Sequence, residues 1–256
     1  MNILIGYSKS KLANSVVSSI EKEQILSRIQ DTLESHGLSV TKLEYQEFEV
    51  KEHLWVRDNF FILAGNCFIC NMTNCDTLKH NRKLEQKNIM RFLATKFDKM
   101  IEIPFPIEGG DVLVTENDVF VGIGKRTTIE AFNFLKNHFI NVRFHKIEHQ
   151  DLHLDCCLSV LGDTVLFNKS KILSFDDIIN IQLTSTKPFE FIDIDTIDTG
   201  ELNTNFIVTR NVVFHGSIST DMSYLIQSKG YDVVQIPDIN KMYAEGGGIR
   251  CLTQFF

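Results

Sequence analysis

Three consecutive glycines, Gly246, Gly247 and Gly248, stand shortly before Cys251 in this chain. Glycine lets a backbone approach a ligand closely and adopt positive φ angles. A thiol that begins a short apolar segment beside such a turn is well placed to be a nucleophile. The same pattern also fits a buried core cysteine behind a flexible turn. The rest of the chain therefore has to decide between these two interpretations.

Other reactive side chains recur at one position of a repeated pattern, immediately before a predicted strand. They are Asp58, Glu108, His153, Asp155, Asn205 and Cys251 itself. Each acid alone fits a surface charge or a strand cap, but six positions in register favour one shared cavity. Carboxylates match the forked N–H donors of a planar guanidinium group. The central carbon of that group is electrophilic, so a thiolate can attack it.

The elements that must position these residues are four predicted β-hairpins. Asn, Asp and Gly, which tolerate positive φ, mark their turns at Gly65-Asn66, Asn117-Asp118, Gly162-Asp163 and Asn211. The hairpins join residues 60–63 to 68–70, 112–114 to 119–123, 157–161 to 165–167, and 206–209 to 212–214. They recur about every 50 residues, which predicts a repeat architecture.

A helix and a third strand follow each hairpin. Apolar residues at spacings of three and four predict helices over 20–36, 81–97, 128–139, 174–181 and 220–229. The strands after them are predicted over 39–45, 100–104, 141–147, 189–194 and 232–236. The repeat is therefore ββαβ. Five copies need a fifth hairpin, which we predict from the two chain ends, 1–7 paired with 251–256, so that the ring closes without exposed sheet edges.

Composition excludes several other classes of protein. A formal net charge of −7 and the absence of a Lys/Arg run argue against nucleic acid as a partner. No apolar run approaches the ~20 residues of a membrane-spanning helix, and residues 1–7 lack the basic lead of a signal peptide. We therefore expect a cytoplasmic protein with reduced cysteines and no membrane partner. No Pro/Gly/Ser-rich linker divides the chain, so we predict one catalytic domain over residues 1–256.

Two groups of side chains resemble metal ligands by count, namely Cys67, Cys70 and Cys75, and His145, His149 and His153. No second cysteine pair with zinc spacing follows the first. Histidines four apart on an extended chain lie too far along the strand to share one ion easily. We therefore predict neither a metal site nor a cofactor.

Together these motifs resemble the guanidino-group-modifying (pentein) superfamily over nearly the whole chain. This superfamily comprises arginine deiminases, dimethylarginine dimethylaminohydrolases, agmatine deiminases and amidinotransferases. Residues 108–113 (Glu-Gly-Gly-Asp-Val-Leu) and 122–127 (Gly-Ile-Gly-Lys-Arg-Thr) resemble the dimethylarginine hydrolases. Arg57-Asp58, His153-Leu154-Asp155 and the glycines before Cys251 resemble the deiminases. The resemblance implies an α/β fold, a five-bladed pseudo-symmetric propeller of ββαβ repeats.

The resemblance also implies a role for each matched residue. Cys251 corresponds to the nucleophile and His153 to the general acid and base. The carboxylates that hold the guanidinium group correspond to Asp58, Glu108 and Asp155. Arg126, and with a less regular spacing Arg82, correspond to arginines that grip the α-carboxylate of the substrate. The implied reaction passes through a covalent thiouronium on the cysteine.

The expected substrate is a small guanidino compound, arginine or an N-methylated arginine, hydrolysed to citrulline plus ammonia or an alkylamine. Two positions depart from family patterns: Asp155 stands where mammalian dimethylarginine hydrolases tend to have lysine, and Arg250 where agmatine deiminases usually have histidine. Transfer of the amidino group to an amine, agmatine deimination and non-catalytic binding of guanidino compounds stay open as alternatives. A homodimer stays open as well.

Overall fold

The computed structural model describes residues 1–8, 17–45, 54–73, 79–197 and 202–256. Its elements follow the predicted ββαβ order. The strands are β1 (Asn2–Ser8), β2 (Ser39–Tyr45), β3 (Phe60–Leu63), β4 (Asn66–Ile69), β5 (Met100–Glu102), β6 (Val112–Val114), β7 (Asp118–Ile123), β8 (Arg143–Glu148), β9 (Leu158–Leu161), β10 (Thr164–Phe167), β11 (Glu190–Asp193), β12 (Ile207–Val208), β13 (Val212–His215), β14 (Asp232–Gln235) and β15 (Thr253–Phe255). The helices are α1 (Ser19–Ser35), α2 (Lys79–Leu93), α3 (Ile129–His138), α4 (Phe175–Thr184) and α5 (Thr220–Ser228).

The strands form five three-stranded sheets of identical topology. Their orders are β3-β4-β5, β6-β7-β8, β9-β10-β11, β12-β13-β14 and β15-β1-β2. In every sheet the central strand runs antiparallel to the first strand and parallel to the third. The predicted α/β propeller of five ββαβ units is thus confirmed.

The closing sheet joins the two ends of the chain, as predicted. β1 pairs with β15 in antiparallel register, with Ile3 opposite Phe255 and Ile5 opposite Thr253. On its other side β1 runs parallel to β2. The last strand is shorter than predicted and begins at Thr253, so Cys251 lies in the turn before it.

Several predicted boundaries were wrong by a few residues. The first hairpin turns at Ala64 and Gly65, both with positive φ as a two-residue hairpin requires, whereas Asn66 pairs with Leu63. α2 was predicted to reach residue 97 but ends at Leu93, where the following turn tightens. α4 extends three residues beyond its predicted end, to Thr184. Cys75, which resembled a metal ligand only by count, lies outside the described residues.

Apolar residues of the sheets and helices bury one another in five clusters. α1 shows the principle: its buried Ile25, Ile29 and Leu33 form one stripe that packs with Ile3 of β1. Ser18 begins this helix with a capping box, in which its hydroxyl accepts from the Glu21 N–H. The burial of this stripe holds the closing sheet against α1.

We call β3, β6, β9, β12 and β15, the first strands of the five sheets, the inner strands. The short 3-10 turns immediately before β3, β6 and β9 contact one another in that order, and β15 contacts β3. The beginnings of the inner strands therefore meet near one axis. Among the helices of the described ranges, none is long and apolar enough to cross a membrane.

Candidate active site

The centre of the site is an imidazole between two carboxylates. His153 Nε2 lies 2.7 Å from Glu108 Oε2, and His153 Nδ1 lies 3.7 Å from Asp58 Oδ1. All three side chains are buried. The three residues stand just before β9, β6 and β3, so the convergence of the inner strands brings them together. Gly110 permits the close packing, because a Cβ at this position would stand 2.7 Å from the ring of His153.

The two acids control the protonation of His153. Burial alone would lower the pKa of this imidazole, but the charge on Asp58, the hydrogen bond to Glu108 and the charge on Asp111 outweigh it and raise the pKa to about 10. For the carboxyl group of Glu108, burial acts in the other direction and would raise the pKa. The hydrogen bond to His153 and the charge of His153 outweigh burial and bring the pKa of Glu108 well below its ordinary value. At neutral pH the pair is therefore an imidazolium and a carboxylate.

Both arginines that the resemblance assigned to the substrate carboxylate reach the site. Arg82 Nη2 lies 2.6 Å from Asp58 Oδ2 and its Nη1 lies 2.9 Å from Glu85 Oε2. Arg126 Nη1 lies 2.9 Å from Glu108 Oε1. Each arginine thus pairs with one of the carboxylates expected to bind the guanidinium group of the substrate. Guanidinium groups of the protein therefore balance the charges of these acids.

Cys251 lies in the turn before β15 and is 7% exposed. Its sulfur accepts a hydrogen bond from Asn205 Nδ2 at 3.2 Å. Asn205 Oδ1 in turn accepts from the backbone N–H of Arg250 at 3.0 Å. Burial raises the pKa of the Cys251 thiol far above its ordinary value, and the charges on Asp155 and Asp58 raise it further. Cys251 is therefore a neutral thiol in this environment.

Asp155 lies between two arginines that the sequence interpretation did not place in the site. Asp155 Oδ2 is 3.7 Å from Arg57 Nε and 3.5 Å from Arg250 Nε. Burial raises the pKa of Asp155, while both arginines act to lower it. The sequence signal for these arginines was local, since Arg57 precedes Asp58 and Arg250 precedes Cys251. Their convergence on one carboxylate depends on the ring and could not be read from spacing.

Asp111 is a further buried acid, and the sequence interpretation missed its role. Its Oδ1 accepts from the Leu154 N–H at 2.8 Å and lies 3.0 Å from His149 Nε2, while its Oδ2 accepts from Thr127 Oγ1 at 2.6 Å. Thr127 Oγ1 also accepts from the backbone N–H of Glu108. Asp111 therefore fixes the backbone on both sides of the His153–Glu108 pair. The sequence signal that could have indicated its role was its place in the motif of residues 108–113.

The structure brings every predicted site residue into this region. It also shows which of the described side chains lie close enough together to hold a metal ion. Asp58, Glu108 and His153 place ligand atoms within 4.8 Å of one another, so within the described ranges this trio has spacing suited to an ion. His145 and His149 instead pair separately with Asp118 and Asp111. Of the six cysteines, the five that are described are free, and Cys67 and Cys70 pack in different apolar clusters. The absence of a metal site stays a prediction.

Comparison with known proteins agrees with this geometry. A model of the family described as N,N dimethylarginine dimethylhydrolase, eukaryotic, matches residues 13–255. The uncharacterized protein YkgA of Bacillus subtilis (strain 168) is 23% identical over 233 residues, which cover 89% of this chain and 77% of that protein. An uncharacterized protein of Aeropyrum pernix is 28% identical over 226 residues, which cover 87% of this chain and 79% of that protein.

Solved structures share the fold at low identity. A Pseudomonas aeruginosa DDAH mutant complexed with citrulline matches with a TM-score of 0.76 and 17% identity over 100% of this chain and 98% of its own. The N-terminal domain of ArgZ, an arginine dihydrolase from Cyanobacteria, bound to substrate, matches with a TM-score of 0.78 and 14% identity, covering 98% and 96%. This chain covers only 39% of the longer ArgZ chain and 40% of AgrE.

The family model spans nearly the whole sequence, and the five-sheet ring and its central cluster are consistent with that match. The chain therefore belongs to the N,N dimethylarginine dimethylhydrolase family.

Proposed function

We propose that this chain is a single catalytic domain that hydrolyses a guanidinium C–N bond of arginine or an N-methylated arginine. The products are citrulline and ammonia or an alkylamine. The observation that carries the proposal is the contact of His153 with both Glu108 and Asp58, in a buried site that also holds Cys251 and Asp155. Family membership and the citrulline and substrate complexes of structural neighbours support the same chemistry.

The site is suited to a cationic substrate. Asp58, Glu108 and Asp155 are buried carboxylates with exposures of 4%, 0% and 0%. A substrate guanidinium offers N–H donors in a fixed fork that matches such oxygens. When it displaces Arg82 and Arg126 from Asp58 and Glu108, these arginines become available for the α-carboxylate of the substrate. Substrate binding thus exchanges internal ion pairs for external ones.

The same cation activates the nucleophile. Burial and two nearby carboxylates favour the neutral thiol of Cys251. A bound guanidinium neutralises Asp155 and Asp58 and adds a positive charge beside the sulfur, so the thiol releases its proton to solvent and becomes a thiolate. The Cys251 sulfur then forms a bond to the guanidinium carbon. Asn205 donates to the sulfur and orients it.

His153 supplies and recovers the proton. As an imidazolium it donates a proton to the departing nitrogen, so the C–N bond breaks to release ammonia or an amine and leaves a thiouronium on Cys251. The neutral imidazole then takes a proton from water, whose oxygen attacks the same carbon. The C–S bond breaks, the ureido product leaves and the thiolate is restored. Glu108 keeps the imidazole oriented throughout.

The test is product analysis with purified protein. L-arginine, monomethylarginine, dimethylarginine and agmatine are incubated separately, and citrulline or carbamoylputrescine is measured by mass spectrometry. We expect citrulline from at least one arginine-type substrate. Acid-quenched intact protein should carry an adduct at Cys251. Products that appear only with an added amine acceptor would contradict hydrolysis, and product from agmatine alone would contradict the substrate class.

A matched pair of variants locates the nucleophile. Cys251→Ser should abolish turnover, whereas Cys156→Ser, at a half-buried thiol beside Asp155, should retain it. Equal activity of Cys251→Ser and the parent protein would refute the mechanism. Calorimetric binding of arginine without any product from the parent protein would instead indicate a binding protein.

A further inference from the structure

A cavity of about 580 Å³ lies at the ends of the inner strands that are remote from the catalytic cluster. The catalytic side chains precede the inner strands, whereas the cavity is lined by the later residues of those strands and by the turns that follow them. Its walls include Ile62, Val114, Val160, Val208 and Phe255, one from each inner strand. Small-molecule sites usually have volumes of about 300–1,000 Å³. The cavity is therefore large enough for a ligand of its own.

We call Arg57 and Arg250 the floor of this cavity, because both line it and both also pair with Asp155 of the active site. Arg57 is 7% exposed and donates from Nη2 to the Val112 carbonyl at 2.6 Å and from Nη1 to Gln254 Oε1. Arg250 donates from Nη1 to the Phe206 carbonyl at 3.4 Å. Within the described part of the chain, neither Nε atom has a hydrogen-bond partner.

The charges at the floor do not balance. The two guanidinium groups share one carboxylate, Asp155, at 3.7 and 3.5 Å. Burial and the like charge of Arg57 lower the pKa of Arg250 to about 9, so Arg250 remains a cation at neutral pH. Burial also lowers the pKa of Arg57, but an arginine side chain stays protonated in proteins, so the two cations repel each other. A buried charge without a counter-charge is costly. An anion in the cavity would offset this cost.

The mouth of the cavity carries charges of both signs. Arg210 and Lys187 line it, with Glu116 as the acidic residue among the lining side chains. Lys187 pairs with Asp163, whereas Arg210 is exposed. The uneven charge of the cavity therefore lies at its floor. A cationic floor joined to apolar walls matches an anionic group attached to an apolar body.

We propose that this cavity is a second ligand site, which binds a small organic carboxylate with an apolar body. The carboxylate pairs with Arg57 and Arg250, and the apolar body contacts the walls formed by the inner strands. This binding does not depend on the proposed function. A further consequence does: the anion draws Arg57 and Arg250 away from Asp155, so occupancy alters turnover without competing with the substrate.

The test uses isothermal titration calorimetry with benzoate on the full chain, and benzamide as its neutral counterpart. We expect saturable binding of benzoate and at least tenfold weaker binding of benzamide, because benzamide cannot make the buried charge-assisted contact. Arg210→Gln should lower the affinity for benzoate about threefold to tenfold, because it removes one partly exposed charge. Lys229→Gln, which removes a cation paired with Glu190 outside the cavity lining, is the matched control and should bind as the parent protein does.

A third variant separates this cavity from the active site, where Arg126 also attracts carboxylates. Arg126→Gln should retain benzoate binding. The proposal is overturned if benzoate does not bind, if benzamide binds equally well, or if Arg126→Gln abolishes binding while Arg210→Gln does not change it. Where substrate turnover is measurable, benzoate should change kcat at saturating substrate, and purely competitive inhibition would refute the coupling to Asp155.

Discussion

Replacing Glu108 by glutamine tests whether His153 works as a cation. The side chains have nearly the same shape, so the substitution removes the negative charge and leaves a hydrogen-bond acceptor 2.7 Å from Nε2 in place. In the parent protein the pKa of His153 is raised from 6.5 to about 10, and Glu108 contributes both a hydrogen bond and a charge to that increase. Asp58 and Asp111 contribute the rest and are retained.

The magnitude follows from the contact. One opposite charge at this distance moves a pKa by about 1–3 units, and each unit corresponds to about 1.4 kcal/mol. We therefore expect the pKa of His153 in Glu108→Gln to fall to roughly 7–9, because Asp58 still opposes deprotonation. The alkaline limb of the kcat/KM profile should move to lower pH by the same amount. Exposed Glu102→Gln is the matched control and should change neither value.

The direct assay is nuclear magnetic resonance titration of the histidine ring nitrogens between pH 6 and 11. The eight histidines of the chain give few signals, and His153→Gln identifies the one of interest. This readout does not require catalysis. A His153 ring that titrates near pH 6.5 in the parent protein would refute the reasoning, and so would a Glu108→Gln variant with an unchanged pKa.

Three further predictions concern the surroundings of this pair. Gly248→Ala places a Cβ 2.5 Å from Asn205 Oδ1 and displaces the amide that contacts Cys251, so kcat should fall on the order of a hundredfold in a steady-state assay while the fold persists in circular dichroism. Asp111→Ala leaves the Leu154 N–H without its acceptor and should lower the unfolding free energy in urea by about 2–4 kcal/mol. Protonation of His153 makes its full contribution to the free energy of unfolding below pH 6.5, and this contribution is lost as the pH rises through about 10. The midpoints of urea unfolding should therefore fall across this range.

The sequence predicted the architecture well because each repeat carries its own signals. Hairpin turns and apolar periodicity are local, and they recur about every 50 residues, so errors were confined to boundaries such as the Ala64–Gly65 turn. The convergence of Asp58, Glu108 and His153 could be predicted, because it follows from the ring of repeats. The environment of Asp155 could not be predicted, because its partners Arg57 and Arg250 come from other repeats and their side-chain directions depend on packing.

The ion pairs within the site could not be predicted from the sequence either. Arg82 and Arg126 were expected to bind the α-carboxylate of a substrate, and in the structure each pairs with a carboxylate of the site. Spacing identifies which residues share a cavity. The choice among several nearby opposite charges depends on distances of a few ångströms, which periodicity does not encode.

The pairing of β1 with β15 has a consequence for how the protein matures. The paired residues Ile3 and Phe255 are far apart in sequence, so this pairing is a long-range step that a growing chain can complete only after β15 has been synthesised. Cys251 stands two residues before β15. A ribosome-bound chain that already displays Asp58, Glu108 and His153 therefore lacks its sulfur until that segment is added, and reactivity cannot begin earlier.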